Sequence, residues 1–341
     1  MPPFQTNKVT FLQYIPIFSW IKSYTKQDFN GDIFAGIITA ILLVPQGIAY
    51  AMLAGLPAQV GLYASILPPA IYALLGTSRT LSVGPVSIAA IMIASVLSIP
   101  DITALGSPVE NAIILAAEGG LILLVMAFLR MGSLVNFISH PVLTGFTSGA
   151  AILIVLSQIP HLLGLPKNQC GIDLDCYRVY TEQINVYTTG LGSSSLILLI
   201  LFGAPLFSLL KKLNFQKTLI TGISKCGPLI AVLLTTAIVS AYQLSDAYDV
   251  AIVGKIQAGF PVISFSFINN AIQWQALLPS AFFIAIIAYV ESVAIAKVTA
   301  NLRNQKINPN QELLALGAAN IVTAFSGGMS VAGGFSRTMV N

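Results

Sequence analysis

The chain has 341 residues, of which 56% are hydrophobic and only 8% charged, against about 25% charged in a water-soluble globular chain. With a mean hydropathy of +0.85, these proportions exclude a conventional soluble surface and point to a polytopic membrane protein whose solvent is mostly lipid. The net charge of +4 does not indicate a nucleic-acid partner, because the basic residues fall between apolar runs instead of gathering into one stripe.

Residues 1–27 are interrupted by Pro2, Pro3 and Pro16 and carry Lys8, Lys22 and Lys26. They hold no apolar core ahead of a small-residue cleavage site, so no cleavable targeting peptide is expected. Their apolar residues, from Phe11 to Tyr24, are mixed with polar ones, which predicts a cytosolic segment lying at the interface or packed on another domain. Long apolar runs follow at 33–55, 59–76, 110–130, 138–159, 194–210, 226–242 and 275–298. Most are near the roughly 20 residues that cross a bilayer, and seven full spans are predicted. Two further runs are shorter: 85–99, opened by Gly84 and Pro85, and 311–325, followed by Ser326, Gly327 and Gly328. A helix over the first of these is only about 22 Å long, short of the roughly 30 Å hydrocarbon core, so it reads as a half-helix.

The basic residues orient the chain. If 85–99 completes a crossing together with the extended stretch before it, one side holds Lys8, Lys22, Lys26, Arg79, Arg130, Lys211, Lys212, Lys217, Lys225, Lys297, Arg303 and Lys306. The other holds Lys167, Arg178 and Lys255. That excess of Lys and Arg marks the first side as cytoplasmic and places the N-terminus inside.

Two interruptions carry the functional information. Thr77 to Ser87 precedes the first short helix, and Ser326 to Ser336 precedes Arg337 near the end of the sequence. Each follows a long helix with a polar group in its apolar middle: Gln46 stands 38 positions before Gly84, and Glu291 stands 42 before Gly333. Similar spacing of unlike sequence is what a diverged internal repeat leaves, and paired Gly/Pro-interrupted spans point to a transporter's binding site. Non-helical backbone at membrane depth survives only where it is buried in protein or lines a wet cavity. A helix that starts there presents free N–H groups and partial positive charge, and two such starts converging favour an anion. Gly84, Gly333 and Gly334 permit close backbone approach, and Pro85 suits a first helical turn. Arg337 adds a full charge and a planar fork matched to an oxyanion.

Two carboxyls lie inside predicted spans. Glu291 sits about two-thirds along its run and is a functional suspect, as any ionisable group at membrane depth is. Glu118, roughly mid-span in the fourth helix, reads either as lining a second water path or, first of the two, as the partner of an interhelical hydrogen bond. Cys170 and Cys176 flank a short polar stretch assigned to the outside, where a disulfide is compatible with an oxidising compartment. Cys226 lies near an inner edge, and His140 and His161 stand at helix ends. These supply no zinc-ligand pattern, so no metal or other cofactor is expected. No G-x-x-x-x-G-K-[ST] phosphate loop is present, which disfavours an ATP-driven pump. A membrane-embedded enzyme would need an intramembrane nucleophile with its base or a metal cluster, and neither pattern is visible.

Several segments together carry a family resemblance. Asp32-Ile-Phe-Ala-Gly36, Val44-Pro-Gln-Gly-Ile-Ala-Tyr-Ala-Met-Leu-Ala54, Gly61-Leu-Tyr-Ala-Ser65, Leu75-Gly-Thr-Ser-Arg79, Val83-Gly-Pro-Val-Ser87, His140-Pro-Val-Leu-Thr-Gly-Phe146 and Gly333-Gly-Phe-Ser-Arg337 resemble the SulP family of sulfate permeases and anion transporters. The resemblance runs from about residue 28 to the last residue, and Val60 stands where the family more often has an aromatic. It implies an all-α polytopic fold of seven plus seven helices in inverted repeat, with a core domain moving against a gate domain. Residues 28–242 then form the first repeat and 273–341 the start of the second. The sequence ends within the tenth helix, short of the rest of that repeat and of the STAS domain usual in the family. Homodimerisation is implied as well.

The resemblance also implies an anion site between the third and tenth helices. Carried over, Gln46 and Tyr50 line it from the first helix, Val86 and Ser87 from the start of the third, and Ser336 and Arg337 from that of the tenth. Glu291 matches the glutamate of members that resemble proton-coupled symporters. Bringing a dianion into a negative-inside cell costs about 4.6 kcal/mol per 100 mV, so accumulating sulfate needs a coupled ion. The expectation is that Glu291 pairs with Arg337 when the site is empty and takes a proton when the substrate claims that guanidinium. Sulfate uptake with protons by alternating access is the leading reading. Bicarbonate, chloride and dicarboxylate carriers or exchangers, an anion channel and a nucleobase carrier share the architecture, and Arg337 beside a helix start favours a charged oxyanion over a nucleobase.

Overall fold

The computed structural model describes residues 16–21, 24–136, 140–165, 184–213, 220, 222–224, 226–254, 256 and 259–339. It is a helical membrane-type fold. Among the described residues, Lys26–Leu53, Ala58–Leu75, Pro108–Phe128, Val186–Lys212 and Ala271–Leu302 are long and apolar enough to cross a membrane. Each predicted run is helical, with differences in extent. The run at 59–76 is two helices, because Pro68 and Pro69 lack the N–H groups that would continue the first. The run at 194–210 starts earlier, at Val186, and breaks at Gly203 ahead of Pro205. The run at 226–242 reduces to Gly227–Ala241.

The helices divide between two compact units. The first draws on Met1–Thr39, Gln46–Ser139 and Ala258–Asn341, and the second on Ala40–Pro45 and His140–Gln257. The first contains α1 (Ile17–Trp20), most of α2 (Lys26–Leu53), α3 (Ala58–Tyr63), α4 (Leu67–Leu75), β1 (Val83–Gly84), α5 (Ser87–Leu97), α6 (Pro100–Leu105) and α7 (Pro108–Phe128). The second contains α8 (His140–Leu162), α9 (Val186–Phe202), α10 (Ala204–Lys212), α11 (Gly227–Ala241) and α12 (Leu244–Tyr248). The chain then returns to the first unit with α13 (Ala271–Leu302), α14 (Pro309–Phe325), β2 (Ala332–Gly333) and α15 (Phe335–Thr338).

Local chemistry sets the helix starts. Thr25 and Asp28 form a capping box ahead of α2: Asp28 N donates to Thr25 Oγ1 (3.2 Å), and Thr25 N donates to Asp28 Oδ2 (2.9 Å). Ser107 caps α7 by accepting from Glu110 N (3.2 Å). Asn308 caps α14 by accepting from Asn310 N and Gln311 N, with Pro309 in the first turn.

In the first unit, α7, α13 and α14 pack against one another through small residues. A Cβ on Gly120 would lie 2.9 Å from Gly317 O, and one on Gly317 would lie 3.0 Å from Gly120 O, so α7 and α14 touch backbone to backbone. Ile114, Leu115, Leu123, Leu313 and Leu316 fill the space beside that contact. Gly47 and Gly61 do the same for α2 and α3, where a Cβ on Gly61 would lie 1.9 Å from Gly47 O. The second unit is held by local bonds of another kind: Ser224 Oγ donates to Phe202 O (2.6 Å), and Asn185 Nδ2 to Tyr248 O (2.7 Å). Its α9 exposes Ile197, Ile200 and Leu201, a surface suited to hydrocarbon and not to water. Cys226 is a free, half-buried thiol. Cys170 and Cys176 lie outside the described residues, as does most of segment 1–27.

The chain after α14 is fixed by a side chain that imitates a strand. Asn320 Oδ1 accepts from Val331 N (2.9 Å), and Asn320 Nδ2 donates to Val331 O (3.0 Å). Replacing Asn320 by Leu keeps the bulk and removes both bonds, leaving two buried backbone groups unpaired at about 1–3 kcal/mol each. The melting temperature of the detergent-purified protein is expected to fall by at least about 4 °C. Ser330→Ala, which deletes a buried hydroxyl that has no hydrogen-bond partner, is expected to leave it unchanged. Equal melting temperatures for wild type and Asn320→Leu would refute the clamp.

Candidate functional site

The two interruptions meet. β1 and β2 pair antiparallel, with Val83 opposite Gly333 and Gly84 opposite Ala332. The pairing extends outward, since Gly334 N donates to Ser82 O (2.9 Å) and Ser82 N to Thr338 Oγ1 (3.0 Å). Gly333 N donates to Ser292 Oγ (2.8 Å), which binds the strand to the middle of α13. Gly333 has no room for a side chain, because an added Cβ would lie 2.6 Å from Leu81 Cδ1. Gly327, at φ 72°, makes the turn out of α14.

Past the ladder, Val86 takes an extended conformation (φ −133°, ψ 152°) as the N-cap of α5, and no side chain caps that helix. At 11 residues, α5 is about 16 Å long, half the hydrocarbon thickness. Val86 and Ala89 pack with Ala288 of α13 and Ala332 of β2 in a buried cluster. The start of the half-helix therefore rests directly on the helix that carries Glu291.

Arg337 completes the site at the second interruption. It is 1% exposed. Its Nη1 donates to Pro85 O (2.9 Å) and to Gln46 Oε1 (3.1 Å), while neither Nε nor Nη2 has a hydrogen-bond partner. Nε–H and one Nη2–H lie along one edge of the planar group and point the same way, the geometry that grips two oxygens of a carboxylate, phosphate or sulfate. Gly334 makes room for that edge: an added Cβ would lie 2.6 Å from Nη2 and 3.1 Å from Nε.

Of the residues singled out in sequence, Gln46, Pro85 and Gly334 each lie against Arg337, and Gly84, Val86 and Gly333 lie in the adjoining ladder and cap. Tyr50 stands one turn beyond Gln46 on α2, and Glu291 is within electrostatic reach of Arg337. Ser87 is half-buried and Ser336 exposed. The direct Glu291–Arg337 pair expected from sequence is not formed. Nη1 is taken by Gln46 and Pro85, and Glu291 Oε2 is buried without a hydrogen-bond partner. Glu118 also departs from its expected interhelical bond. It is 2% exposed and neither carboxyl oxygen has a partner. Next to it, Gly119 faces Ala281 and Ala285, which offer no side-chain donor. Sequence reading passed over Ser292, Asn320 and Glu312. Glu312 carried a usable signal, because it is a carboxyl inside the apolar run 311–325. Among the described residues no three His, Cys, Asp or Glu side chains stand together as a metal site.

Known proteins share this sequence and fold. The family model for the sulfate permease family matches residues 29–341. The chloroplastic sulfate transporter 4.1 of Arabidopsis thaliana is 35% identical over 328 residues, covering 96% of this chain and 46% of its own length. A probable sulfate transporter of Mycobacterium tuberculosis is 36% identical over 324 residues, covering 93% of this chain and 54% of its own. The chain thus spans about half the length of the curated relatives it matches. The inward-facing structure of the murine Solute Carrier 26 family member A9 anion transporter superposes with a TM-score of 0.81 at 23% identity, over 100% of this chain and 58% of that one. The transmembrane domain of the cyanobacterial bicarbonate transporter BicA superposes with a TM-score of 0.73 at 21% identity, over 93% of this chain and 77% of that one.

The space beside Arg337 is testable by itself. Gly334→Ala places a methyl against Nε and Nη2 while the backbone, at φ −98°, accepts any residue. Sulfate affinity measured by calorimetry on the folded fraction is expected to fall at least about tenfold, a loss near 1.4 kcal/mol. Unaltered affinity would show that this edge does not face the ligand.

Proposed function

Because the chain belongs to the sulfate permease family, we propose that it carries the substrate site of a secondary active transporter for an inorganic oxyanion, most of all sulfate taken up with protons by alternating access. The observation that carries the reading is the division of labour within Arg337. One nitrogen is spent on neutral protein acceptors, Gln46 Oε1 and Pro85 O. The other two remain as a paired donor edge. A neutral acceptor orients the guanidinium without cancelling its charge, so the fork is held and stays cationic. The uncapped start of α5 beside it adds free N–H groups of the same polarity. Tyr50, Ser87 and Ser336 supply hydroxyls around this centre and Val86 a wall of the cavity.

Proton coupling is assigned to Glu291. It senses Arg337 through space. When a dianion settles on the guanidinium, Glu291 loses its counter-charge and gains a like-charged neighbour, and both changes favour taking a proton. Net charge moved per cycle falls accordingly, which lowers the cost of import against a negative-inside potential. The excess of Lys and Arg on one side supports a cytoplasmic N-terminus in an inner or plasma membrane, and family membership supports a homodimer.

Radiolabelled sulfate uptake into proteoliposomes, with and without an inward proton gradient, tests the reading. Sulfate is expected to compete better than bicarbonate, chloride or a dicarboxylate. Arg337→Gln is expected to lower uptake at least about 30-fold, the loss of about 2 kcal/mol of charge-assisted hydrogen bonding. Glu291→Gln is expected to keep sulfate exchange and lose gradient-driven accumulation. Unchanged accumulation in Glu291→Gln would remove the proton role, and strong preference for another anion would replace the substrate.

A further inference from the structure

Glu312 belongs to no part of the site described so far, yet it is 0% exposed and is the most heavily bonded carboxylate among the described residues. Its Oε2 accepts from the Tyr72 hydroxyl (2.6 Å). Its Oε1 accepts from Thr77 N (2.8 Å), from Thr77 Oγ1 (2.5 Å) and from Ser78 N (3.3 Å). A carboxylate at this depth is costly unless its lone pairs are filled, and here neutral donors from the end of α4 and the stretch after it fill them. Two more bonds join the same places: Gln311 Nε2 donates to Leu75 O (2.8 Å), and Asn308 N donates to Thr77 Oγ1 (3.2 Å). The first turn of α14 thus grips the chain at residues 75–78.

What is gripped is the stretch that ends at the anion site. Ser78 Oγ accepts from Leu81 N (3.2 Å). Ser82 is tied to Thr338 and Gly334, Val83 and Gly84 pair with β2, and Pro85 O accepts from Arg337. A continuous series of hydrogen bonds therefore runs from Glu312 to the guanidinium within one compact unit. Binding groups must be held within about 0.5 Å of their working geometry by such supporting contacts. Without the grip at Thr77, the segment loses the fixed point from which β1, Pro85 and Val86 are laid out.

We infer that Glu312 is a positioning residue for the anion site, acting through Thr77 and the strand that follows it. This rests on the reading of Arg337 as the anion-binding group, and it adds that selectivity and affinity depend on a carboxylate in the first turn of the preceding helix. A residue that only holds the fold would change how much transporter is folded, not how tightly each folded molecule binds.

Two substitutions at the one position separate these roles. Glu312→Ala removes every acceptor. Glu312→Gln keeps one oxygen for Thr77 and Ser78, and its amide can donate to the Tyr72 hydroxyl, which can turn to accept. Sulfate dissociation constants are measured on monodisperse protein, normalised to the folded fraction. Glu312→Ala is expected to raise the constant at least about tenfold, and Glu312→Gln is expected to restore it to within about threefold of wild type. Should Glu312→Ala not fold, Thr77→Val, which deletes the hydroxyl bonded to Glu312 and Asn308 and keeps the backbone N–H, is expected to raise the constant of the folded fraction about threefold. A wild-type constant in folded Glu312→Ala, or in Thr77→Val where Glu312→Ala does not fold, overturns the inference while leaving the Arg337 site standing. Absence of sulfate binding in the wild type overturns the anion-site reading itself, and the positioning role falls with it.

Discussion

Backbone N–H and C=O groups at membrane depth have no water to turn to, so any stretch that leaves the helix there must find partners inside the protein. Thr77 to Val86 and Gly327 to Gly334 solve this problem jointly. Each supplies the other with a short antiparallel ladder at Val83–Gly84 and Ala332–Gly333. Backbone groups that the ladder leaves unpaired are taken by side chains: Ser292 for Gly333 N, Asn320 for Val331, Thr338 for Ser82 N and Glu312 for Thr77 N. The requirement that makes irregular backbone tolerable also forces the two helix starts to the same place.

That coupling explains which features were readable from the sequence. Apolar runs, Pro68, Pro205 and the capping residues Thr25, Ser107 and Asn308 act on their own neighbours, so helices and many of their ends follow from short windows. Gly84, Pro85, Gly333 and Arg337 stand out because breaks are rare in apolar sequence and an isolated cation beside one is rarer. The supporting residues were not legible, because their partners are distant in the chain. Tyr72 and Thr77 lie 240 and 235 positions from Glu312, and only the fold brings them together. Glu118 shows the opposite failure. The rule that a polar group in a span bonds to another helix fails there, since neither of its carboxyl oxygens has a hydrogen-bond partner.

The residues around Arg337 suit the anion site proposed for it, chiefly by what they avoid. A lysine would bring the same charge as a point and could not give one nitrogen to Pro85 while keeping a parallel pair for a ligand. A carboxylate at position 46 would hold the guanidinium more tightly than Gln46 does, but it would compete with any anion for the same charge. Glutamine and a backbone carbonyl restrain the fork by geometry alone. Gly334 then keeps the working edge clear, because even a single methyl would reach it.

Glu291 and Glu312 show how the same group serves opposite ends by the number of donors it meets. Glu312 is filled by four hydrogen bonds from neutral groups. Glu291 has a buried oxygen with no donor and a guanidinium within electrostatic reach. On the proposed function, that leaves it able to respond to whatever Arg337 holds. A satisfied carboxylate is fit to be a fixed point and an unsatisfied one to respond. On the proposed function, the first sits at the foot of the segment that must stay still, and the second within reach of the group that would take the anion.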